Sequence, residues 1–263
     1  MSWSGPPELR SSFDRVADIY DEIRPSYPPA MFDDLFRLLP PTPRVLEIGP
    51  GTGQATRDLL SRGAIVHAIE LGPRMAAKLR QVVPSTDLTI TVGDFENVTL
   101  APHTFDAVFS ATAYHWITPN AQLDRPLESL KPAGTLAIVD LNQVDSPDDN
   151  GFFAASQSVY ERHGPPYTGP QLPKRDAVDP PIRSALSGDS RYANVEVRNY
   201  DWNQTYSAAD YRKLMLSYSG TQIMEPSAQQ ALLDDMEAFV EKPFAGHVTR
   251  PIVVTLSTAT SAV

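Results

Sequence analysis

Short aliphatic runs alternate with amphipathic segments between Arg44 and Leu141. This alternation predicts a parallel sheet whose strands are joined by crossover helices. The predicted strands are RVLEIG, AIVHAIE, LTITVGD, FDAVFSA and GTLAIVDL, and the predicted helices are GQATRDLLSRG, GPRMAAKLRQVV and NAQLDRPLESLK. Pro126 is expected to begin or bend the last helix, because a proline inside a helix interrupts its hydrogen bonds.

Two helical segments precede the first predicted strand. Phe13, Val16, Tyr20 and Ile23 recur at three- and four-residue spacing on one face of a helix that Pro25 must end. The segment AMFDDLFRLL predicts a second, short helix. Because both come before the sheet, we expect them to lie across the strand ends as a lid.

The chain continues well beyond the fifth predicted strand. GFFAASQSVYERHG is typical of a helix, whereas PPYTGPQLPKRDAVDPP holds too many prolines for regular structure. Irregular segments of that length are commonly functional, and its position makes it a candidate substrate cap. The remainder predicts the helices AADYRKLMLSYS and SAQQALLDDMEAFVEK, and the strands VEVRNYDW and PIVVTLSTA, which can add an antiparallel edge to the sheet.

Composition narrows the functional classes. The chain of 263 residues has 41% hydrophobic residues, a formal charge of -10 and no cysteine. The absence of cysteine excludes disulfides, a thiol nucleophile and a thiolate metal site, and the negative charge disfavours nucleic acid and anionic membranes as partners. No apolar signal core opens the chain and no run approaches the roughly 20 apolar residues of a membrane span, so we expect a cytoplasmic protein.

The stretch VLEIGPGTGQAT places Gly49, Gly51 and Gly53 directly after a predicted buried strand. Glycine permits positive φ and close approach of a ligand, and the following helix directs free N–H groups towards it. An ordinary tight turn is the alternative. A dinucleotide site has the spacing G-x-G-x-x-G/A, but Gln54 occupies the third small position here. The dinucleotide motif is therefore not met.

Carboxylates follow at successive strand ends. Glu47 lies on the glycine-turn strand itself and requires a donor, which a ligand ammonium, the turn N–H groups or a structural partner can supply. Glu70 ends the next strand, a position from which an acidic side chain can accept hydrogen bonds from both hydroxyls of a ribose. NAD sites use the same arrangement, so Glu70 alone does not distinguish between the cofactors. After the third strand, Asp94 can accept from an exocyclic purine amine and Phe95 can pack on its ring. This order favours an adenosine-containing ligand without a pyrophosphate.

The sequence resembles the class I S-adenosylmethionine-dependent methyltransferases, in particular their small-molecule branch that includes trans-aconitate methyltransferase-like proteins. The residues that carry the resemblance are VLEIGPGTG, HAIELGPRM, GDFEN, FDAVFSATAYHWI and the upstream FDRVADIYDEIRPSYP. It implies an α/β, Rossmann-like, seven-stranded sheet, mostly parallel with an antiparallel last strand and helices on both faces. We expect a single domain over 1–263, divided into a lid (1–40), a cofactor-binding core (41–142), a proline-rich cap insertion (143–193) and C-terminal helices and strands that complete the sheet (194–263).

The resemblance also implies roles for individual residues. Gly49, Gly51 and Gly53 would approach the methionine part of S-adenosylmethionine, and Glu70 its ribose. Met75 would cover one face of the adenine, with Asp94 and Phe95 at its edge. Glu47 is included among the cofactor-binding residues. From the lid, Tyr20 and Arg24 match a Y…RP.YP pattern, which suggests that Arg24 approaches the cofactor carboxylate or an anionic substrate; core packing is the alternative for Tyr20.

The acceptor side is less specific. His115 in AYHWI is placed to accept a proton from a hydroxyl acceptor, although it can instead only shape the pocket. Tyr114, Trp116 and Tyr218 are assigned to the substrate. No metal site is predicted, because DSPDDN, preceded by Asp140, is typical of a solvated turn. The Asn/Asp-Pro-Pro-aromatic motif of many nucleic-acid base methyltransferases is absent, since ATAYHWI stands in its place.

These features predict a methyltransferase that moves the methyl group of S-adenosylmethionine to an oxygen of a small-molecule acceptor, with nitrogen or carbon as alternatives, and leaves S-adenosylhomocysteine. Two alternatives stay open at the level of sequence. One is an NAD(P)-dependent oxidoreductase, and the other a non-catalytic cofactor-binding protein. The sequence identifies neither the acceptor nor the oligomeric state.

Overall fold

A computed structural model describes residues 13–163 and 171–262. Its seven strands form one sheet in the order β3-β2-β1-β4-β5-β7-β6. All neighbouring strands run parallel except β7, which is antiparallel to both β5 and β6. The strands are β1 (Arg44–Ile48), β2 (Ile65–Glu70), β3 (Leu88–Val92), β4 (Phe105–Ala111), β5 (Leu130–Gln143), β6 (Tyr192–Ser207) and β7 (His247–Ser261).

Ten α-helices are found in the described residues, and short 3-10 turns at Phe13–Val16 and Tyr114–Trp116 flank the site. Helices α2, α4, α5 and α10 each have a proline in their first turn, where no intrahelical N–H is required. The helices are α1 (Ala17–Ile23), α2 (Pro29–Phe36), α3 (Thr56–Ser61), α4 (Pro73–Val82), α5 (Pro119–Ser129), α6 (Phe152–His163), α7 (Ile182–Gly188), α8 (Ala208–Leu216), α9 (Ser219–Gln222) and α10 (Pro226–Glu241).

Apolar side chains cover both faces of the sheet. On one face, Phe32 of α2 and Leu79 of α4 pack in the cluster that holds Val45 and Val254. On the other face, Leu127 of α5 and Ile182 and Leu186 of α7 lie in the cluster that holds Leu46 and Ile138. A third cluster joins α6, α8 and α10 to Ile23 of α1. The predicted α/β sheet with an antiparallel last strand and helices on both faces is confirmed.

Each strand and helix predicted along the described chain is present, with some differences in length. The strands β6 and β7 extend well beyond VEVRNYDW and PIVVTLSTA, because each pairs with the other over nearly its whole length. Helix α7 was not predicted. Pro126 lies inside α5, which ends three residues later at Ser129. The proline-rich cap segment falls partly on residues 164–170, outside the described residues.

The N-terminal helices lie against the core. Helix α1 packs on the C-terminal helices through Ile23, and α2 packs on the sheet through Phe32. The first twelve residues of the expected lid lie outside the described residues. Within residues 13–163 and 171–262, no helix is long and apolar enough to cross a membrane.

Candidate active site

One cavity of about 610 Å³ runs along the carboxyl ends of the strands. Its wall passes from the ends of β2 and β3, across the turns after β1 and β4, to the end of β5 and the start of β7. Open parallel sheets bind ligands at this edge, and the volume is in the range of small-molecule sites. The predicted residues that line it are Gly49, Gly51, Glu70, Met75, Phe95, Tyr20, Arg24, His115, Trp116 and Tyr218.

The three glycines of the turn after β1 all have positive φ, at 64°, 59° and 100° for Gly49, Gly51 and Gly53. A β-carbon at Gly53 would lie 2.7 Å from Leu79 Cδ1, so this glycine permits α4 to pack against the turn. Gly49 and Gly51 face the cavity, whereas Gly53 does not line it. A β-carbon at Gly49 would lie 2.5 Å from the Ala113 β-carbon, so this glycine leaves room for the turn after β4, whereas Gly53 leaves room for a helix.

Glu70 holds the glycine turn in place from the end of β2. One carboxylate oxygen accepts the Gly51 N–H at 3.0 Å, and the other accepts the Gly72 N–H at 2.8 Å. Burial raises the pKa of Glu70 to about 7, while these two N–H groups oppose the rise. Each oxygen keeps a lone pair for a further donor from the cavity.

Glu47 lies one layer below the cavity and does not line it. It is 1% exposed, and its carboxyl group accepts a hydrogen bond from the Thr56 hydroxyl at 2.7 Å. Burial raises the pKa of Glu47 to about 8, and the hydrogen bond from Thr56 opposes this rise only in part. Of the three donors that the sequence left open for Glu47, a ligand ammonium, the turn N–H groups or a structural partner, the structure shows a structural partner, Thr56 at the start of α3.

Met75 and Phe95, which the family resemblance places at the adenine, are both buried side chains that contribute to the cavity wall beyond the ends of β2 and β3. Asp94 does not line the cavity. Its carboxylate accepts the Glu96 N–H at 3.1 Å and the Asn97 side-chain amide at 3.2 Å, which organises the turn after β3.

A residue that the sequence did not indicate, Asp14, also borders this end. Its carboxylate, which comes from the 3-10 turn before α1, accepts the N–H groups of Arg74 at 2.7 Å and Met75 at 3.0 Å. Asp14 therefore caps the N-terminus of α4 from a distant segment. Only its position on the polar side of the first predicted helix could have suggested a role.

Beyond the glycine turn, two arginines and two tyrosines stack in alternation. The Arg24 guanidinium carbon lies 4.6 Å from the Tyr20 ring centre and 5.2 Å from the Tyr218 ring centre. The guanidinium carbon of Arg250 lies 5.8 Å from the centre of the same Tyr218 ring. Arg24 also donates to the Ser217 carbonyl at 2.9 Å, which joins the lid to α8. The sequence did not identify Arg250.

The 3-10 turn after β4 directs two of its three side chains to the cavity and one to the core. His115 and Trp116 line the cavity, with ring centres 5.1 Å apart, whereas Tyr114 points away and donates its hydroxyl to the Gln122 carbonyl. Desolvation by the cavity wall lowers the pKa of His115, so its imidazole is neutral at pH 7. Tyr114, which does not line the cavity, is 2% exposed and packs in the core.

The far end of the cavity includes Asp140 and Asn142 at the end of β5, and Arg250 at the start of β7. Burial raises the pKa of Asp140 to about 6. The sequence placed Asp140 only beside a solvated turn, because the burial of this carboxylate depends on segments far away in the chain. Within the described parts of the chain, no cluster of three or more histidines or acids could hold a metal ion.

The family model of a methyltransferase domain matches residues 46–138, which contain most of β1, all of β2 to β4 and most of β5. This part of the chain is thus similar to a methyltransferase domain. Its glycine turn, Glu70, Phe95 and His115 all lie in the matched range, whereas the lid and Arg250 lie outside it.

The chain is 36% identical over 133 residues to an uncharacterized methyltransferase of Mycobacterium tuberculosis, covering 50% of this chain and 53% of the relative. It is 36% identical over 165 residues to a malonyl-[acyl-carrier protein] O-methyltransferase of Halorhodospira halophila, covering 59% and 51%. The matches thus span about half the length of these relatives.

Among solved structures, one similar fold is that of phosphoethanolamine N-methyltransferase 2 of Haemonchus contortus, in complex with phosphomonomethylethanolamine and S-adenosylhomocysteine. The TM-score is 0.55 at 19% identity, and the match covers 94% of this chain and 57% of that one. The fold similarity therefore reaches well beyond the residues that the family model matches.

Proposed function

We propose that this chain transfers the methyl group of S-adenosylmethionine to an oxygen of a small-molecule acceptor. The observation that carries the proposal is the Glu70 carboxylate, which faces a cavity that continues past β4 to β7. A carboxylate with one N–H on each oxygen can still accept two ribose hydroxyls. The continuation past β4 offers a place for the acceptor beside the cofactor.

The remaining cavity residues fit the same ligand. Met75 and Phe95 offer apolar contact to an adenine, and the positive-φ backbone at Gly49 and Gly51 permits close approach of the methionine part. Arg24 supplies a cation for the carboxylate of the cofactor, next to the glycine turn. Glu47, Gly53 and Asp94, which do not line the cavity, would support these residues from behind.

The comparisons favour methyl transfer over the nicotinamide alternative, since the matched domain is a methyltransferase domain and the dinucleotide spacing is absent. The relative from Halorhodospira is named an O-methyltransferase, which supports oxygen as the acceptor atom. The finer similarity to trans-aconitate methyltransferases rests on the sequence motifs and stays a prediction.

When bound, S-adenosylmethionine supplies an electrophilic methyl group on a sulfonium, whose departure as a neutral thioether needs little assistance. The chain's own residues then have to orient the acceptor oxygen and remove its proton. His115, neutral at pH 7 and at the mouth of the cavity, is the base in this proposal. Trp116 provides an aromatic wall that favours a nearby positive charge.

Calorimetric titration with S-adenosylhomocysteine tests the cofactor site. Glu70→Gln keeps the size of the side chain but removes the charge that strengthens hydrogen bonds to ribose, so we expect about tenfold weaker binding. Glu128→Gln is the matched control, because Glu128 is exposed on α5 and pairs with Arg125. Failure of the wild type to bind at high micromolar ligand, or equal affinity of Glu70→Gln and Glu128→Gln, would refute the proposal.

A further inference from the structure

The two arginines of the cavity belong to different parts of it. Arg24 stacks on Tyr20, and Tyr20 lies next to the glycine turn, because a β-carbon at Gly51 would be 3.3 Å from Tyr20 Cε1. Arg250 lies at the start of β7, which pairs with β5 on the side away from β1 and β4. Arg24 therefore borders the cofactor end, and Arg250 borders the end that remains for the acceptor.

Arg250 is held rigidly but only partly used as a donor. One terminal nitrogen donates to the Tyr218 hydroxyl, and the other donates to the Gln143 side-chain oxygen at 2.7 Å. Its Nε is buried without a hydrogen-bond partner among the described residues. Since each terminal nitrogen of a guanidinium carries two N–H groups, two terminal donors stay available after these two contacts.

Arg250 also lacks a counter-ion in the described part of the chain. Burial disfavours the charge of Arg250, but an arginine keeps its proton in proteins, so the guanidinium stays charged. The groups that surround it are the neutral phenols of Tyr218, Tyr211, Tyr206 and Tyr160. Asp140 lines the same cavity, but no hydrogen bond or ion pair joins its carboxylate to Arg250. A charge enclosed without a counter-ion favours an anionic ligand.

Tyr218 completes a donor pair with Arg250. Its hydroxyl oxygen accepts an N–H from Arg250, so its own proton is left to donate to a ligand. Both side chains line the cavity. A guanidinium N–H next to a polarised phenol O–H matches the two oxygens of a carboxylate or of a phosphate group.

We propose that Arg250 and Tyr218 bind an oxyanion group of the methyl acceptor, a carboxylate or a phosphate, and so select anionic acceptors. Gln143 acts as a positioning residue that fixes the guanidinium. This proposal rests on the proposed function, because it takes the cofactor to occupy the Arg24 end of the cavity.

The test uses protein saturated with S-adenosylhomocysteine, which occupies the cofactor end, and three small probes followed by ligand-detected NMR titration. The probes are acetate, inorganic phosphate and the neutral acetamide. We expect at least one anion to bind wild-type protein at least fivefold more tightly than acetamide. Preference for acetate assigns a carboxylate acceptor, and preference for phosphate assigns a phosphate ester.

The variants are Arg250→Gln, Arg250→Lys and Tyr218→Phe, with Arg198→Gln as control, since Arg198 lies on β6 and forms ion pairs with Asp34 and Glu196. Arg250→Gln and Tyr218→Phe should lose the preference for the anion, the control should keep it, and Arg250→Lys should keep part of it. Arg250→Lys retains the charge if Arg250→Gln does not fold. Equal binding of all three probes by wild-type protein, or an unchanged preference in both Arg250→Lys and Tyr218→Phe, overturns the proposal.

Affinity for S-adenosylhomocysteine is measured first on every variant. If wild-type protein does not bind S-adenosylhomocysteine, this result counts against the proposed function. Normal cofactor affinity without anion preference counts against the acceptor site alone.

Discussion

Glu47 and Glu70 are buried carboxyl groups on neighbouring strands, and their environments set them to different tasks. Glu70 has two N–H donors and a pKa of about 7, whereas Glu47 has one hydroxyl donor and a pKa of about 8. Near pH 7, Glu47 is therefore mainly protonated, and Glu70 is partly ionised and available to hydroxyl donors. The sequence shows two acidic residues but not that their protonation states differ.

Glu47→Gln should change the pH dependence of stability. The folded-state pKa of about 8 lies above the ordinary value of 4.5, so wild-type protein loses stability as the pH rises through this window. Glutamine does not titrate and can still accept from Thr56. Relative to wild type, we expect the variant to gain roughly 4 kcal/mol between pH 5 and pH 9 in urea unfolding, since about three pH units of this window lie between the two pKa values, at about 1.4 kcal/mol each. For the control Glu128→Gln, we expect a difference in unfolding free energy from wild type that does not vary with pH. The same pH-independent difference in Glu47→Gln would contradict the prediction.

His115→Gln tests proton removal at the acceptor. Loss of a general base lowers turnover by about 100-fold or more on a hydroxyl acceptor, and removes the fall in rate at acidic pH. The fall in wild-type protein should lie below the usual imidazole range, since the pKa of His115 is lowered. Transfer of a labelled methyl group measures both. His247→Gln, on the exposed start of β7, is the control; unchanged turnover and pH profile in His115→Gln would leave His115 with a shaping role only.

At the scale of elements, the helix α1 and the turn before it are tied to the core by acidic side chains. Asp18 pairs with Lys78 of α4 at 2.7 Å, Asp21 pairs with Arg57 of α3 at 2.9 Å, and Glu22 pairs with Lys213 of α8. Exposed pairs of this kind contribute little individually. Asp14 differs from them, because it satisfies two N–H groups at the start of α4 that would otherwise lack partners.

Asp14→Ala should destabilise the protein by about 1 kcal/mol, the usual cost of losing a helix cap. It should also weaken binding of S-adenosylhomocysteine, because the cap holds the lid turn beside Met75 and Glu70. Chemical unfolding and calorimetry measure the two effects. Asp18→Ala removes a lid contact without a cap and serves as control; equal effects of both substitutions would show that the cap is unimportant.

At the scale of the whole molecule, the last strand holds the sheet together. β7 lies between β5 and β6, its side chains are almost all buried, and its first residues supply Arg250 to the cavity. The C-terminal segment therefore completes both the core and the acceptor end of the site.

A chain that ends at Glu241 should not fold cooperatively, because removal of β7 leaves β6 without its partner strand, leaves β5 paired with β4 alone, and exposes the apolar clusters to which β7 contributes. Near-ultraviolet circular dichroism and urea unfolding report the loss. Removal of only the last two residues is the control, since β7 ends at Ser261. Cooperative unfolding of the shorter chain would contradict the central role of β7.

The sequence by itself determined the order of strands and helices, the glycine turn and the carboxylate at the end of β2. These features depend on periodicity and on short motifs, in which neighbouring residues act together. It also indicated Phe95 and His115, which come shortly after β3 and β4, whereas Met75 was implied by the family resemblance. Only the tertiary structure decided which side chains face the cavity, and so separated Gly51 from Gly53 and His115 from Tyr114.

Tertiary structure alone also brought Asp14, Asp140 and Arg250 to the cavity. These residues belong to segments more than a hundred positions apart, and no local pattern records their proximity. Their burial, and hence the raised pKa of Asp140 and the missing counter-ion of Arg250, arises from packing between those segments. The sequence thus specifies the end of the cavity that fits the methyl donor, whereas the end left for the acceptor exists only once the chain has folded.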